Sequence, residues 1–161
     1  MLKKILLLSF IVSSLAFSQP VKNLKVKSID GSSIKIKDKY EQGAVMINFW
    51  ALWCEPCRAE MRHLNELYNK YKEKGFTLIG INQDSPKSVA KVKSYISSQK
   101  IDFPVAIDPN FEIFNRMNGQ VLPYSLLIDR NGKIVYRQTG YVPGDEKKMD
   151  AAISKTLDAG E

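Results

Sequence analysis

Ala44-Val45-Met46-Ile47-Asn48-Phe49-Trp50 is an almost continuous apolar run, and Cys54 and Cys57 follow close behind it. A run of that length without a charge is the pattern of a central strand buried on both faces. Such a strand needs helices packed above and below its sheet. Beyond the cysteines, Met61, Leu64, Leu67, Tyr68 and Tyr71 recur at helical spacing, and Gly75 after Lys72-Glu73-Lys74 is suited to close that helix. The cysteine pair therefore sits where a buried strand hands over to a helix, the end at which open α/β sheets carry their reactive groups.

The other segments arrange themselves around this unit. Residues 23–38 alternate apolar and polar about Asp30-Gly31-Ser32-Ser33, which predicts a β-hairpin. A second buried strand is predicted over 76–82, then a helix opened by Ser85-Pro86 with Val89, Val92, Tyr95 and Ile96 on its apolar face. Residues 103–107 read as a short strand and 110–117 as a small helix. Strands over 124–129 and 133–139 flank the turn Arg130-Asn131-Gly132, and an amphipathic helix runs from about 145 to 157. The predicted class is α/β: one domain, a central mixed sheet with helices on both faces, and an N-terminal β-hairpin.

The first 18 residues stand apart. Lys3 and Lys4 precede an apolar stretch, 5–17, broken only by serines, and Ala16-Phe17-Ser18 offers small residues where a signal peptidase reads. Thirteen residues fall short of the roughly 20 that span a bilayer. No cysteine lies nearby to take a lipid. Residues 1–18 are thus expected to be a cleaved signal peptide and 19–161 an exported, periplasmic or otherwise extracytoplasmic domain without a lipid anchor. Lys and Arg number 24 against 17 Asp and Glu, a net charge of +7 that becomes +5 without Lys3 and Lys4. The lysines are scattered rather than clustered with aromatics, which argues against nucleic acid as a partner.

Two cysteines three residues apart close too short a loop to stabilise a fold, so their place is better explained by chemistry. One helical turn brings their Cα atoms within disulfide range. The helix N-terminus offers N–H groups and partial positive charge to the first sulfur, favouring its thiolate. Cys54 is the candidate attacking sulfur and Cys57 the resolving one. Structural zinc would need four ligands, and the chain has these two cysteines and His63, six residues on. No metal is expected. A peroxidase of the peroxiredoxin kind would need a proline and a Thr or Ser ahead of the reactive cysteine, where Ile47 and Ala51 stand.

Phe49-Trp50-Ala51-Leu52-Trp53-Cys54-Glu55-Pro56-Cys57-Arg58-Ala59-Glu60 closely resembles the active-site run of thioredoxin-like proteins, nearest the extracytoplasmic TlpA/ResA type. The resemblance extends over most of 19–161, including Val121-Leu122-Pro123-Tyr124 and Ile128-Asp129-Arg130-Asn131-Gly132-Lys133. It implies a thioredoxin-like fold and a thiol–disulfide oxidoreductase that uses the Cys54–Cys57 couple and no other cofactor. It also implies which surfaces meet the substrate: Trp53, Leu122 and Pro123 would face it, with Pro123 after a cis bond opposite the cysteines and the Leu122 backbone free to pair with a substrate peptide. The implied partners are disulfides of exported proteins, such as the cysteines of apocytochrome c, and a membrane thiol–disulfide electron donor. The protein is expected to be monomeric.

Three positions tune this expectation. Pro56 suits a first helical turn. Glu55 opposes a neighbouring thiolate and so leans the couple toward a reductant. The buried acid of cytosolic thioredoxin is replaced by Asn48, and Asp84 either takes over that acid's role or caps the next helix. The competing reading is a copper-handling or redox-inert binding module of the same fold. In copper chaperones of this fold, however, the cysteines are typically four apart with a distant histidine.

Overall fold

The computed structural model describes residues 21–160; the expected signal peptide, residues 1–18, lies outside them. The chain forms β1 (Lys25–Ser28), β2 (Ser33–Lys35), α1 (Ile36–Tyr40), β3 (Val45–Trp50) and α2 (Glu55–Tyr71). There follow β4 (Thr77–Asn82), α3 (Val89–Ser98), β5 (Val105–Ile107), α4 (Glu112–Arg116), β6 (Tyr124–Ile128), β7 (Ile134–Thr139) and α5 (Asp145–Asp158). The described strands make one seven-stranded mixed sheet, ordered β2-β1-β5-β4-β3-β6-β7. β3, β4 and β5 run parallel, while β6 pairs antiparallel with β3 and β1 antiparallel with β5. The expected fold class is therefore the observed one.

The apolar run becomes the middle of this sheet because both of its faces are covered. Met46 and Trp50 point into one core, where Met61, Leu64 and Leu67 of α2, Val92 of α3, and Met149 and Ile153 of α5 pack. Val45, Ile47 and Phe49 point into the other, closed by Ile36 and Tyr40 of α1 and by Phe114 of α4. The period-2 alternation of a strand splits one continuous apolar sequence between two cores.

Two local expectations need correction. The hairpin does not continue to residue 38, because α1 begins at Ile36. The Ile36 N–H donates to Leu24 O at 3.0 Å, and Ile36 and Tyr40, four residues apart, are both buried in the second core. A helical turn stacks that pair about 6 Å apart on one face, where a continued strand would spread the two side chains about 13 Å along it. The helix after β4 opens as a 3-10 turn over Pro86–Ser88 before α3 proper, and Ser85 provides no side-chain cap.

β3 and β4 begin side by side, and their lead-in loops touch. A Cβ on Gly43 would lie 1.8 Å from the carbonyl oxygen of Gly75, which itself takes φ +84. Backbone on backbone cannot yield as a flexible side chain does. Gly43→Ala is expected to destabilise the fold by about 1–3 kcal/mol, read as a lower urea midpoint with unchanged slope.

Candidate active site

The cysteines lie where the strand-to-helix junction puts them. Cys54 is the N-cap of α2, extended at φ −91, ψ 103, and its Sγ accepts the Cys57 N–H at 3.3 Å. The two form a disulfide with Cα atoms 5.3 Å apart. Cys57 is fully buried and Cys54 retains 6% exposure, so the helix start is less open than expected. Glu55 and Pro56 occupy the exposed first turn. Trp53, next to Cys54, is 64% exposed.

The loop before β6 arrives at the same end of the sheet. Tyr124 pairs with Phe49, so Leu122 and Pro123 lie alongside the end of β3 that leads to Cys54. The Leu122–Pro123 peptide bond is cis. The Pro123 carbonyl accepts the Gly140 N–H at 2.8 Å, tying this loop to the end of β7. Pro56, Val121, Leu122, Gly140, Tyr141 and Val142 contribute to one groove of about 750 Å³. Val121 and Val142 are exposed large apolar residues, as is Trp53. These three residues leave an exposed apolar rim at this end of the sheet.

Of the two roles expected for Asp84, the helix cap is not the one the structure shows. Asp84 caps no helix; its Oδ2 accepts the Leu52 N–H and Asn82 Nδ2, each at 2.8 Å. Asn48 points from β3 toward α2, where its Nδ2 donates to Glu60 Oε2 at 2.8 Å and to Ser125 Oγ at 2.9 Å. Glu60, one turn beyond Cys57, is thus the buried acid beneath the pair, and the sequence reading did not single it out. The signal was present. Cys57, Glu60, Met61, Leu64 and Leu67 follow one helical stripe, and a glutamate in such a stripe must be buried. Burial raises its carboxyl to about 8 from an ordinary 4.5; the Asn48 hydrogen bond works against this and the charge of Asp145 with it.

His63, the alternative ligand, faces Glu66 at 3.2 Å from Nδ1 and lies one turn further from the cysteines. Among the described residues, no three His, Cys, Asp or Glu side chains form a metal-holding group.

Residues 17–153 match the family model Redoxin. The chain belongs to the Redoxin family. This redoxin is 41% identical over 118 residues to the thiol-disulfide oxidoreductase ResA of Bacillus cereus, an alignment covering 73% of the chain but 66% of that protein, just under two thirds of its length. With the ResA of Geobacillus kaustophilus it is 31% identical across 72% of that protein. A Chlorobium tepidum structure assigned as thiol:disulfide interchange protein DsbE superposes with a TM-score of 0.76 at 30% identity, covering 83% of this chain and 92% of that one. A Bacteroides thetaiotaomicron structure assigned as a protein disulfide isomerase gives 0.74 at 29% identity, covering 84% and 86%.

The raised Glu60 pKa has a consequence for stability with a definite sign. Between about pH 4.5 and 8 the folded redoxin keeps a proton on Glu60 that the unfolded chain releases. That contribution is complete below the lower value and is lost as pH rises through the upper one. Glu60→Gln, neutral at every pH, should flatten the fall in urea midpoint across this interval. A midpoint profile as steep as that of the parent would show that Glu60 is ionised in the fold.

Proposed function

We propose that this redoxin is a thiol–disulfide oxidoreductase working outside the cytoplasm as a reductant of protein disulfides. The observation that carries the reading is the Cys54–Cys57 disulfide at the N-terminus of α2, beside the Leu122-Pro123 loop. The names of the ResA relatives support the same activity. Among the described residues no helix is long and apolar enough to cross a membrane.

In the reduced protein, the Cys54 thiolate attacks one sulfur of a substrate disulfide, the substrate S–S bond breaks, and the other substrate sulfur leaves as a thiolate. Cys57 then loses its proton and attacks Cys54 Sγ. The mixed disulfide breaks, the second substrate thiol is released, and the Cys54–Cys57 disulfide is left, two electrons having passed to the substrate. Glu60, raised to about 8, is mostly protonated at neutral pH; in the fraction that is ionised its carboxylate can take the Cys57 proton, and the closeness of its value to the roughly 8.5 of a free thiol keeps the cost of that transfer low.

Trp53, Leu122 and Pro123 form the substrate-facing wall, with Val121 and Val142 extending it. Glu55 beside the thiolate keeps the couple reducing. Exported proteins whose cysteines must be kept as thiols, such as apocytochrome c, are the substrate class, and a membrane thiol–disulfide donor returns the electrons. The signal peptide over residues 1–18 would place the domain there.

Cys54→Ser should abolish insulin reduction with dithiothreitol, whereas Cys57→Ser should leave Cys54 able to form mixed disulfides that persist. First alkylation of Cys57 in the reduced protein would reverse the two roles. Equilibration against a dithiothreitol series should place the couple nearer to thioredoxin, about −270 mV, than to DsbA, about −120 mV. A value near the latter would remove the reductant reading and leave the chemistry in place.

A further inference from the structure

The loop between β3 and α2 is held at one residue, Leu52, through the peptide units on either side of it. Asp84 Oδ2 accepts the Leu52 N–H at 2.8 Å, and Arg58 Nη1 donates to the Leu52 carbonyl. The carboxylate is itself fixed, since the same Oδ2 accepts Asn82 Nδ2 at 2.8 Å and the Asp84 N–H donates to Asn82 Oδ1 at 3.1 Å. Asp84 is 7% exposed. Beside it, the Gln83 N–H donates to Trp50 O at 2.8 Å. The end of β4 thus fastens the chain on either side of Ala51. The next turn then closes with the Cys54 N–H donating to Ala51 O at 3.2 Å, and Cys54 takes the N-cap conformation that aims Sγ at the Cys57 N–H.

We propose that Asp84 is a positioning residue. Together with Arg58 at the Leu52 carbonyl, its carboxylate oxygen orients the Leu52-Trp53-Cys54 turn so that the Cys54 thiolate of the reduced protein meets the N-terminal N–H groups of α2. The proposal rests on the reading of Cys54 as the attacking sulfur. It differs in sign from what charge alone would do. A carboxylate acting through its field disfavours a nearby thiolate, so removing it would lower the Cys54 pKa, whereas removing an orienting contact raises it. A carboxyl that relayed protons would act through neither route, and its amide would be as inactive as its deletion.

The geometry offers a clean discriminator. Both side-chain bonds end on one oxygen, so an asparagine placing its single carbonyl oxygen there keeps both. Alkylation of Cys54 in the reduced protein, followed against pH, is to be compared in the parent, Asp84→Asn and Asp84→Ala. Asp84→Ala is expected to raise the Cys54 pKa by about one unit and slow alkylation near neutral pH about tenfold, while Asp84→Asn stays within about twofold of the parent. A lowered pKa in Asp84→Ala would assign the residue a charge role and overturn the proposal. So would an Asp84→Asn as slow as Asp84→Ala, or an Asp84→Ala indistinguishable from the parent.

Should Asp84→Ala not fold, amide exchange in the parent decides the matter. The Leu52 amide should exchange at least about tenfold more slowly than that of the neighbouring Trp53, and equal rates would overturn the clamp. That measurement does not depend on which cysteine attacks. Preferential labelling of Cys57 would remove the functional reading while Leu52 protection still tested the contact.

Discussion

Every side chain of β3 is buried, so each of its six residues must be matched by whatever lies on the face to which it points. Five are met by apolar partners in one or other core. Asn48 is not, and an unpaired amide at the centre of a sheet would cost several kcal/mol. Its Nδ2 is satisfied from two directions at once, by Glu60 on the helix above and by Ser125 on the neighbouring strand. These bonds pin α2 to the sheet one turn beyond Cys57. The rotation of the helix that carries both cysteines therefore depends on a polar residue inside an apolar strand. Glu60 must be buried to meet Asn48, and its raised carboxyl pKa follows from that burial.

The architecture was legible because its strongest signals are long and periodic. The apolar run 44–50, the helical stripe after the cysteines and the paired strands around Arg130-Asn131-Gly132 each reappear within a residue or two of where the pattern puts them. What escaped detection is short or set by tertiary contact. α1 has five residues, and nothing local distinguishes Ile36 in a strand from Ile36 in a helical turn; burial against the second core decides it. Asp84 was visible as an acid near the site, but the sequence offers no means of seeing that its partner is the peptide N–H of Leu52, 32 residues earlier. Glu60 does carry a local signal, its place in the helical stripe between Cys57 and Met61, but nothing in the sequence shows that Asn48, twelve residues earlier, is its partner.

The three acids near the cysteines illustrate how environment separates identical chemistry. Glu55 is in the solvent-exposed first turn, where water weakens its field to about 1 kcal/mol at 4 Å. Glu60 is enclosed and holds its proton at neutral pH. Asp84 is also enclosed, yet its Oδ2 meets two N–H donors, the arrangement that keeps a buried carboxylate supplied with partners.

These differences also divide the labour around the two sulfurs. Cys54 is served from the loop side, where Asp84 and Arg58 hold the Leu52 peptide and the helix N-terminus faces Sγ. Cys57, with no exposure of its own, has Glu60 one turn further along α2, held there by Asn48, which also bonds Ser125 on the neighbouring strand. A thiolate needs N–H groups directed at it, and a buried thiol needs somewhere close to send its proton. The strand-to-helix junction supplies the first, and the polar residue within β3 holds Glu60, the acid that can take that proton when it is ionised, so a single buried strand, through its end and its middle, sets the surroundings of both cysteines.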